Sequence, residues 1–462
     1  NIKINWNLLN ILILIIGIIF LISPYLIQYK NYQEFFPLFD TQYKQSYQLD
    51  NKIINQFYDF AIINIDNYLN REILIILLPI IFGVISLITF FFVLKKLKFN
   101  KRNIFFALFF LITSQIFIYG FLANLKFSLI FLLCLIIYYL INFENKIKYF
   151  ASIPIFLLFL LKPSFTTIGI IITIYYFIFI DKNYYFLFIP FFIAIVALIL
   201  NIHLFNFYNF FHFQNLNIIN LLENNLIMFG SNLGFSFFIF FLAGFYLVVS
   251  WKNKIKNLQL YFFLLILILG ILFINENLKI ILNLILVIIS AKTILGIKEM
   301  VWELKTIRNL TLFLIIFGII ISSITYLNTI NKNLNNQELI ESIKWLEDNT
   351  DDDIIVLSDE KNSYLINYFT TKKTFWLYYN VTNDINKTND YYSLMQTRNI
   401  KNATYLIEKY NLDLFLIDKY TKKDMLNEKK IIGLEFLMKN SELFNLLYES
   451  ETIKIWELKE NN

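Results

Sequence analysis

Long apolar runs separated by short polar segments dominate the first 327 residues of the chain. A helix needs roughly 20 residues to cross a hydrocarbon core about 30 Å thick, and fewer when flanking residues reach the interface. The fifth and sixth runs are short, and the Lys162-Pro163 pair between them could mark a hairpin or one broken helix. The pattern predicts a polytopic α-helical membrane domain (1–327) with eleven spans, at 8–26, 73–94, 104–120, 125–142, 148–161, 165–180, 184–201, 233–250, 259–274, 278–294 and 310–327.

The pattern changes after Leu327, where helical and strand periodicities alternate. The segments NQELIESIKWLEDNT and ATYLIEKYN have apolar residues at helical spacing, whereas DDIIVLSD and LDLFLID are short apolar strands next to acidic residues. The segment LFNLLYESETIKIWEL is typical of two strands around a Glu-Ser-Glu turn. Residues 328–462 are therefore expected to form a separate α/β domain with a mixed sheet.

Composition supports a membrane protein, and the placement of charges predicts its orientation. Hydrophobic residues make up 58% of the chain, charged residues 16%, and the mean hydropathy is +0.59. Lys and Arg gather in alternate short loops, which are therefore expected to be cytoplasmic. The segment 27–72 has four basic and six acidic residues and is expected to be an outer loop. With a cytoplasmic N-terminus and an odd number of spans, the α/β domain is predicted to be extracytoplasmic, on a protein of the cell membrane.

Three further features restrict the interpretation. The first apolar run is followed by SPYLIQYKNYQEFF, which has no small-residue cleavage site, so we expect it to remain as an anchor. The single cysteine, Cys134, excludes an internal disulfide. The predicted α/β domain (328–462) shows no phosphate-binding glycine loop and no nucleophile elbow in its sequence. This favours a binding or positioning role for the domain. No nucleic-acid partner is expected.

The outer loop carries the first candidate site residue, Asp40. It lies in the segment EFFPLFDTQYKQSYQLD, which is too apolar for a simple solvated loop. Tyr43 and Tyr47 follow at i+3 and i+7, so the three residues would share one face of a helix. One interpretation is an interfacial amphipathic helix with its acids in water. The other is a carboxylate that acts as a general base, or as a ligand for a divalent metal, beside the bilayer.

The remaining candidates are cations and titratable groups near the predicted outer face. Lys162, in LLKPSF, is either a lysine that extends to the interface or a cation that binds a lipid phosphate. His203 and His212 are the only histidines, and their spacing does not match a metal site. Asp66 in the first outer loop is a further candidate for a second carboxylate.

Taken together, these segments resemble the GT-C glycosyltransferases, polytopic enzymes that use polyprenyl-phosphate-linked sugars. The resemblance rests on one span followed by a long outer loop with FDTQY, on LLKPSF between later apolar runs, and on the layout of the C-terminal domain. It implies that Asp40 acts at the reaction centre, that Tyr43 matches the aromatic position after it, and that Lys162 lies near the lipid phosphate. Asp66 and His203 are expected to bind substrate.

The chain also departs from that family. The loop GFLANLKF between the third and fourth spans has no carboxylate, and the Trp-Trp-Asp motif of oligosaccharyltransferases is absent. Both departures argue against transfer of a whole oligosaccharide to protein. The resemblance thus implies transfer of a sugar from a polyprenyl-phosphate donor in the membrane lipid to a protein or glycolipid acceptor. A transporter or flippase of lipid-linked sugars and a non-catalytic scaffold are the alternatives.

The predicted topology can be tested with reporter fusions. Because Lys and Arg favour the cytoplasmic side, a reporter fused after Lys98 should read cytoplasmic and one fused after Leu357 should read external. Two reporters on the same side would show that the eleven-span count is wrong.

Overall fold

The computed structural model describes residues 5–32, 76–123, 125–141, 150–161, 235–250, 279–334, 337–379, 384–418, 421–422 and 433–459. The chain divides into two compact units, and the second contains residues 331–462. The domain boundary predicted at 328 and the outer location of this unit stay predictions.

The first unit is helical throughout its described residues. Its helices are α1 (Trp6–Tyr32), α2 (Leu78–Lys96), α3 (Lys101–Thr113), α4 (Gln115–Ala123), α5 (Leu125–Ile141), α6 (Ser152–Leu161), α7 (Phe237–Ser250), α8 (Lys279–Glu299) and α9 (Lys305–Leu334). By length and apolar composition, four of them can cross a membrane, or five if the bent pair α3–α4 counts as one span. These helices coincide with eight of the eleven predicted spans, whereas 165–180, 184–201 and 259–274 lie outside the described residues.

One predicted span differs from its expected form. The run 104–120 was expected to be one helix, but α3 and α4 meet at Ser114 with a bend of 56°. Ser114 has an extended backbone (φ −75°, ψ 131°), and its hydroxyl donates to the carbonyl of Leu111. A serine or threonine hydroxyl that bonds the preceding turn competes with the helical backbone pattern and bends helices.

Small residues let the helices of this unit pack closely. A Cβ atom at Gly17 of α1 would lie 2.7 Å from Ile112 Cδ1, and one at Gly83 of α2 would lie 2.8 Å from Leu21 Cδ1. Both distances are shorter than a normal van der Waals contact. Close backbone approach at small residues is how membrane helices gain packing energy, because lipid is as apolar as their side chains.

The second unit is an α/β domain, as predicted. Its helices are α10 (Gln337–Asn349), α11 (Glu360–Phe369), α12 (Phe375–Tyr378), α13 (Ile385–Gln396), α14 (Ile400–Lys409) and α15 (Leu434–Asn440), and its strands are β1 (Ile355–Leu357), β2 (Lys373–Thr374), β3 (Leu414–Ile417), β4 (Phe444–Glu449) and β5 (Lys454–Leu458). The strand order is β2-β1-β3-β5-β4. Strands β2, β1 and β3 are parallel and β5 and β4 are antiparallel to their neighbours, which confirms a mixed sheet.

Alternate residues of the strands pack into two different cores. In β1, Ile355 and Leu357 join a cluster with residues of α13, α14 and α15, whereas Val356 joins a cluster with α10 and α11. In β3, Phe415 belongs to the first of these clusters and Leu416 to the second. Both faces of the sheet are therefore covered, which is the arrangement that parallel strands require.

Glu338 joins the start of this domain to its last hairpin. Its Oε2 accepts hydrogen bonds from Thr452 Oγ1 at 2.6 Å, Ser450 Oγ at 2.9 Å and Thr452 N at 3.0 Å. The Thr452 hydroxyl, followed by the Ser450 hydroxyl, holds the pKa of Glu338 below its usual range.

This geometry predicts a pH-dependent contribution to stability. Because the folded-state pKa is lowered, the stabilisation is present above the unfolded pKa of about 4.3 and is lost as the pH falls through the folded value. Glu338→Gln should lower the Tm of the full chain in detergent at pH 7, and the difference from wild type should shrink below about pH 4. Glu408→Gln is the control, because Glu408 is exposed on α14. A Tm difference between Glu338→Gln and wild type that stays constant from pH 3 to pH 7 would refute a role for the Glu338 charge.

Candidate functional site

A cluster of buried polar side chains surrounds the break between α3 and α4. This Ser114 cluster consists of Thr113, Ser114, Gln115, Asn283, Ser322 and Ser323. Its members come from α3, α4, α8 and α9 and from the residue at the break. Polar side chains at membrane depth cost free energy and therefore mark functional or specific packing sites.

Side chains of two other helices form hydrogen bonds at the break, one of them to the backbone. Ser323 Oγ on α9 donates to the carbonyl oxygen of Thr113 at 2.7 Å. Asn283 Nδ2 on α8 donates to Ser114 Oγ at 3.1 Å. Non-helical backbone at membrane depth is tolerated only where protein or water satisfies it. The break is thus a fixed feature, held from both sides by side chains.

Gln115, the first residue of α4, makes the third link in the cluster. Its Nε2 donates to Ser322 Oγ on α9 at 2.9 Å, while its Oε1 is buried and has no hydrogen-bond partner among the described residues. An acceptor without a partner at this depth requires a donor such as water or a hydroxyl.

Lys279 extends the polar region along α8. It is the first residue of that helix and is only 2% exposed, and Asn283 lies one turn further on and is equally buried. Residues four apart share one helix face, so Lys279 and the Ser114 cluster form one polar column. In the predicted orientation, Lys279 is at the outer end of its span.

The second unit has a separate polar region where its parallel strands end. After β1 the chain passes to β2 on one side, and β3 later pairs with β1 on the other side. The strand order therefore reverses between β1 and β3. In open α/β sheets, ligands bind at the carboxyl ends of the strands at such a point. We call this region the carboxyl edge and define it by Ser358, Asp359, Asn362, Thr374 and Asp418.

The first turn of α11 forms one side of the carboxyl edge. Asp359 caps this helix, because its Oδ1 accepts from the backbone N–H of Asn362 at 2.9 Å. The hydroxyls of Ser358 and Ser363 are 2.8 Å apart, and both residues are buried. The carboxyl end of strand β1 is thus lined by two hydroxyls and a carboxylate.

The end of β3 contributes a second carboxylate. Asp418 is 1% exposed, and its Oδ1 accepts from Thr421 N and Thr421 Oγ1, both at 2.8 Å. Asp359 and Asp418 follow the neighbouring strands β1 and β3, so the carboxyl edge contains two carboxylate side chains.

All of the site residues predicted from the sequence lie outside the described residues. They are Asp40, Tyr43, Asp66, Lys162 and His203. Their positions are therefore untested, and the roles assigned to them stay predictions. Among the described residues, no three His, Cys, Asp or Glu side chains gather where a metal ion could bind.

The sequence reasoning missed the polar column. Lys279 fell inside the predicted span 278–294, and Gln115 fell inside 104–120. A charge or an amide within an apolar run is itself a signal of function. Applying that test to every predicted span would have identified Lys279, Asn283 and Gln115.

Comparison with known proteins gives matches at the level of structure. No family model matches the chain, and no curated protein matches it by sequence. Solved structures of the Archaeoglobus fulgidus oligosaccharyltransferase align with the chain. The form tethered to an acceptor peptide containing the NVT sequon aligns with a TM-score of 0.56 and 12% identity, covering 98% of this chain and 74% of that one.

Two other structures of this enzyme contain different ligands. The archaeal oligosaccharyltransferase AglB in complex with an inhibitory peptide and a dolichol-phosphate aligns with a TM-score of 0.54 and 13% identity, over 96% of this chain and 74% of that chain. The complex with zinc and sulfate aligns with a TM-score of 0.54 and 13% identity, over 96% and 73%. The chain therefore shares its fold with the GT-C oligosaccharyltransferase AglB, which confirms the predicted resemblance at the level of the fold.

Proposed function

We propose that the protein is a membrane glycosyltransferase that moves a sugar from a polyprenyl-phosphate donor to an acceptor on the outer face of the membrane. The observation that carries the proposal is a fold shared over 96% of the chain with a protein solved with a dolichol-phosphate. The buried polar column of Lys279, Asn283 and the Ser114 cluster supports it, because a lipid-borne phosphate needs polar groups at the membrane boundary.

The reaction needs two kinds of group. An acceptor hydroxyl attacks the anomeric carbon, the bond from that carbon to the phosphate oxygen breaks, and the phosphate leaves with the electron pair. Asp40 takes the proton of the acceptor or orients it. A cation stabilises the departing phosphate. A single displacement inverts the configuration at the anomeric carbon.

Lys279 joins Lys162 as a candidate for that cation. Lys279 is 2% exposed and begins α8, one turn before the buried Asn283. A phosphate of the donor would bind such a lysine as a point charge. Tyr43, Asp66 and His203 are proposed to contact the substrate from the outer loops.

The acceptor remains a proposal at the level of chemical class. One solved neighbour holds a peptide with an NVT sequon, whereas this chain lacks the Trp-Trp-Asp motif of oligosaccharyltransferases. A glycolipid or a glycan is therefore favoured over a protein acceptor. One solved neighbour is a complex with zinc, and Asp40, the candidate metal ligand of this chain, lies outside the described residues.

Transport of a lipid-linked sugar is the second candidate function, and one observation favours it. Carriers build their substrate sites from interrupted membrane helices, and the α3–α4 pair is such a helix, with polar residues around its break. A carrier would move the intact donor across a vesicle membrane, whereas a transferase would release polyprenyl phosphate.

The role of Asp40 is tested by Asp40→Asn. The substitution keeps the shape of the side chain and removes its charge, so transfer should fall by about 10² to 10⁴ while expression and donor binding persist. Transfer is measured by mass spectrometry of the product. Asp50→Asn is the control, because Asp50 has no tyrosine three residues after it and so does not match the Asp-x-x-Tyr pattern. A decrease of less than about fivefold would remove Asp40 from the reaction centre.

The role of Lys279 is tested by donor binding. Lys279→Met should weaken binding of a fluorescent polyprenyl phosphate by roughly tenfold to a hundredfold, because a charged hydrogen bond is lost. Lys279→Arg should keep most of the binding. Lys305→Met is the matched control, since Lys305 begins α9 and is exposed. If Lys279→Met lowers Tm but binds the lipid normally, the lysine is structural.

A further inference from the structure

The turn that joins α2 to α3 is strongly basic. We call residues 95–102 the basic turn, and five of its eight residues are cations, namely Lys95, Lys96, Lys98, Lys101 and Arg102. All five are exposed, and no acidic residue occurs between Glu72 and Glu144. Lys98, Lys101 and Arg102 form no ion pair with any of the residues that the structure describes. The basic turn is therefore a patch of positive charge that the described part of the chain does not neutralise.

Lys98 occupies a position that favours glycine. Helix α2 ends in a Schellman motif, in which the backbone N–H of Phe99 donates to the Leu94 carbonyl at 3.1 Å and that of Lys98 to the Lys95 carbonyl at 3.0 Å. Lys98 has a φ of 58°, in the left-handed region that glycine enters without steric cost. The sequence thus has a cation here against the local conformational preference.

Lys101 and Arg102 are also placed against a local preference. They are the first two residues of α3, whose first turn has no acidic residue and whose N-cap Asn100 makes no side-chain capping bond. The helix dipole disfavours cations at this end and favours anions. The rule that cytoplasmic loops are basic explains how many cations the loop has, but not these positions. Departures from local preference are expected where residues serve a function.

Two other helices contribute side chains to the same turn. The guanidinium carbon of Arg102 lies 5.5 Å from the ring centroid of Trp6 on α1, and that tryptophan packs edge-on against Phe105 at 5.9 Å. Lys292 of α8 is exposed, and its Nζ lies 5.0 Å from the ring centroid of Phe99. Trp6 therefore orients Arg102, and Lys292 adds a cation from a different helix.

The surroundings of the basic turn favour a lipid over a soluble anion. Helix α2 is long and apolar enough to cross a membrane, and the turn begins in its last turn. Large apolar side chains on α2 are 40–46% exposed and recur every three or four residues, at Ile81, Ile85, Ile88 and Phe92. Residues at this spacing share one face of a helix, along which an acyl chain can lie. Tryptophan, here Trp6, is enriched where membranes meet water.

We propose that the basic turn binds the phosphate head group of an anionic phospholipid, with an acyl chain along the exposed face of α2. Clusters of Lys and Arg next to a membrane span attract anionic lipids, and Lys98, Lys101, Arg102 and Lys292 form such a cluster. The site is separate from Lys279, since Lys292 lies about 20 Å further along α8. The inference does not depend on the proposed function.

The test measures lipid binding without any sugar donor. The purified full chain in detergent is titrated with phosphatidylglycerol or with phosphatidylcholine, and native mass spectrometry counts the bound lipids. The wild type should prefer phosphatidylglycerol. The double variant Lys101→Gln/Arg102→Gln should bind phosphatidylglycerol about 25-fold more weakly, which is about fivefold for each cation removed.

Lys98→Gly separates lipid binding from stability. Its Tm should stay equal or rise, because glycine fits the positive φ at this position, while phosphatidylglycerol binding should weaken about fivefold. The variant removes one of five cations, so the orientation of the loop is preserved. It decides the question if the double variant does not fold. A structural role for Lys98 would give the opposite pattern, a lower Tm with normal lipid binding.

A matched control removes the same charge elsewhere. Lys305 and Arg308 lie in the first turn of α9, and two acidic residues, Glu299 and Glu303, precede them. Lys305→Gln/Arg308→Gln should therefore leave phosphatidylglycerol binding nearly unchanged.

Several results would overturn the inference. They are equal binding of the two lipids by the wild type, full phosphatidylglycerol binding by Lys98→Gly, and a loss in the control variant as large as in Lys101→Gln/Arg102→Gln. Displacement of phosphatidylglycerol by inorganic phosphate at the same concentration would also overturn it, because the turn would then bind a free anion and not a lipid.

Discussion

The membrane unit depends on one constraint, which is that every backbone polar group at membrane depth must be hydrogen-bonded within the protein. At Ser114 the chain leaves the helical pattern, Ser323 of α9 donates a hydrogen bond to the Thr113 carbonyl, and Asn283 of α8 donates one to the Ser114 hydroxyl. The bend of 56° between α3 and α4 is thus held by the helices around it. Loss of Ser323 would remove the hydroxyl that donates to the Thr113 carbonyl, and a buried acceptor left unpaired costs about 1–3 kcal/mol.

This constraint also explains why polar groups are concentrated in one place. Once a break requires polar partners, its neighbours can be polar at little additional cost, and a buried lysine one turn away gains a polar environment. The column from Lys279 to Gln115 follows from this arrangement. In the proposed mechanism, the groups that permit the break also provide the place where a lipid-borne phosphate can be bound.

In the second unit the sheet has polar groups at the ends of its strands and apolar groups between the sheet and the helices. Strands β1 and β3 alternate their side chains between two cores. The polar residues that follow them, Ser358, Asp359 and Asp418, cannot join either core and meet at the carboxyl edge. Glu338 then ties the first helix of the unit to its last hairpin.

Much of the fold could be predicted from the sequence, because periodicity reports directly on burial. Helix α10, strands β1 and β3 and the β4–β5 hairpin were all expected from their apolar spacing. The break at Ser114 could not be predicted in this way, because Thr113, Ser114 and Gln115 hardly lower the mean hydropathy of the apolar run around them. Their hydrogen-bond partners also lie more than 150 residues away in sequence. The candidate residues in the first outer loop, Asp40 above all, have no described neighbours against which they can be tested.

The central claim is that the chain transfers a sugar from a lipid carrier. The most direct measurement is incubation of the purified full chain with polyprenyl-phosphate-linked sugars and a panel of glycan, glycolipid and peptide acceptors, followed by mass spectrometry of the products. The account predicts a glycosylated acceptor, free polyprenyl phosphate in equal amount, and inversion at the anomeric carbon. Movement of the intact donor across a vesicle membrane, with no released polyprenyl phosphate and no glycosylated product, would contradict it and identify a carrier.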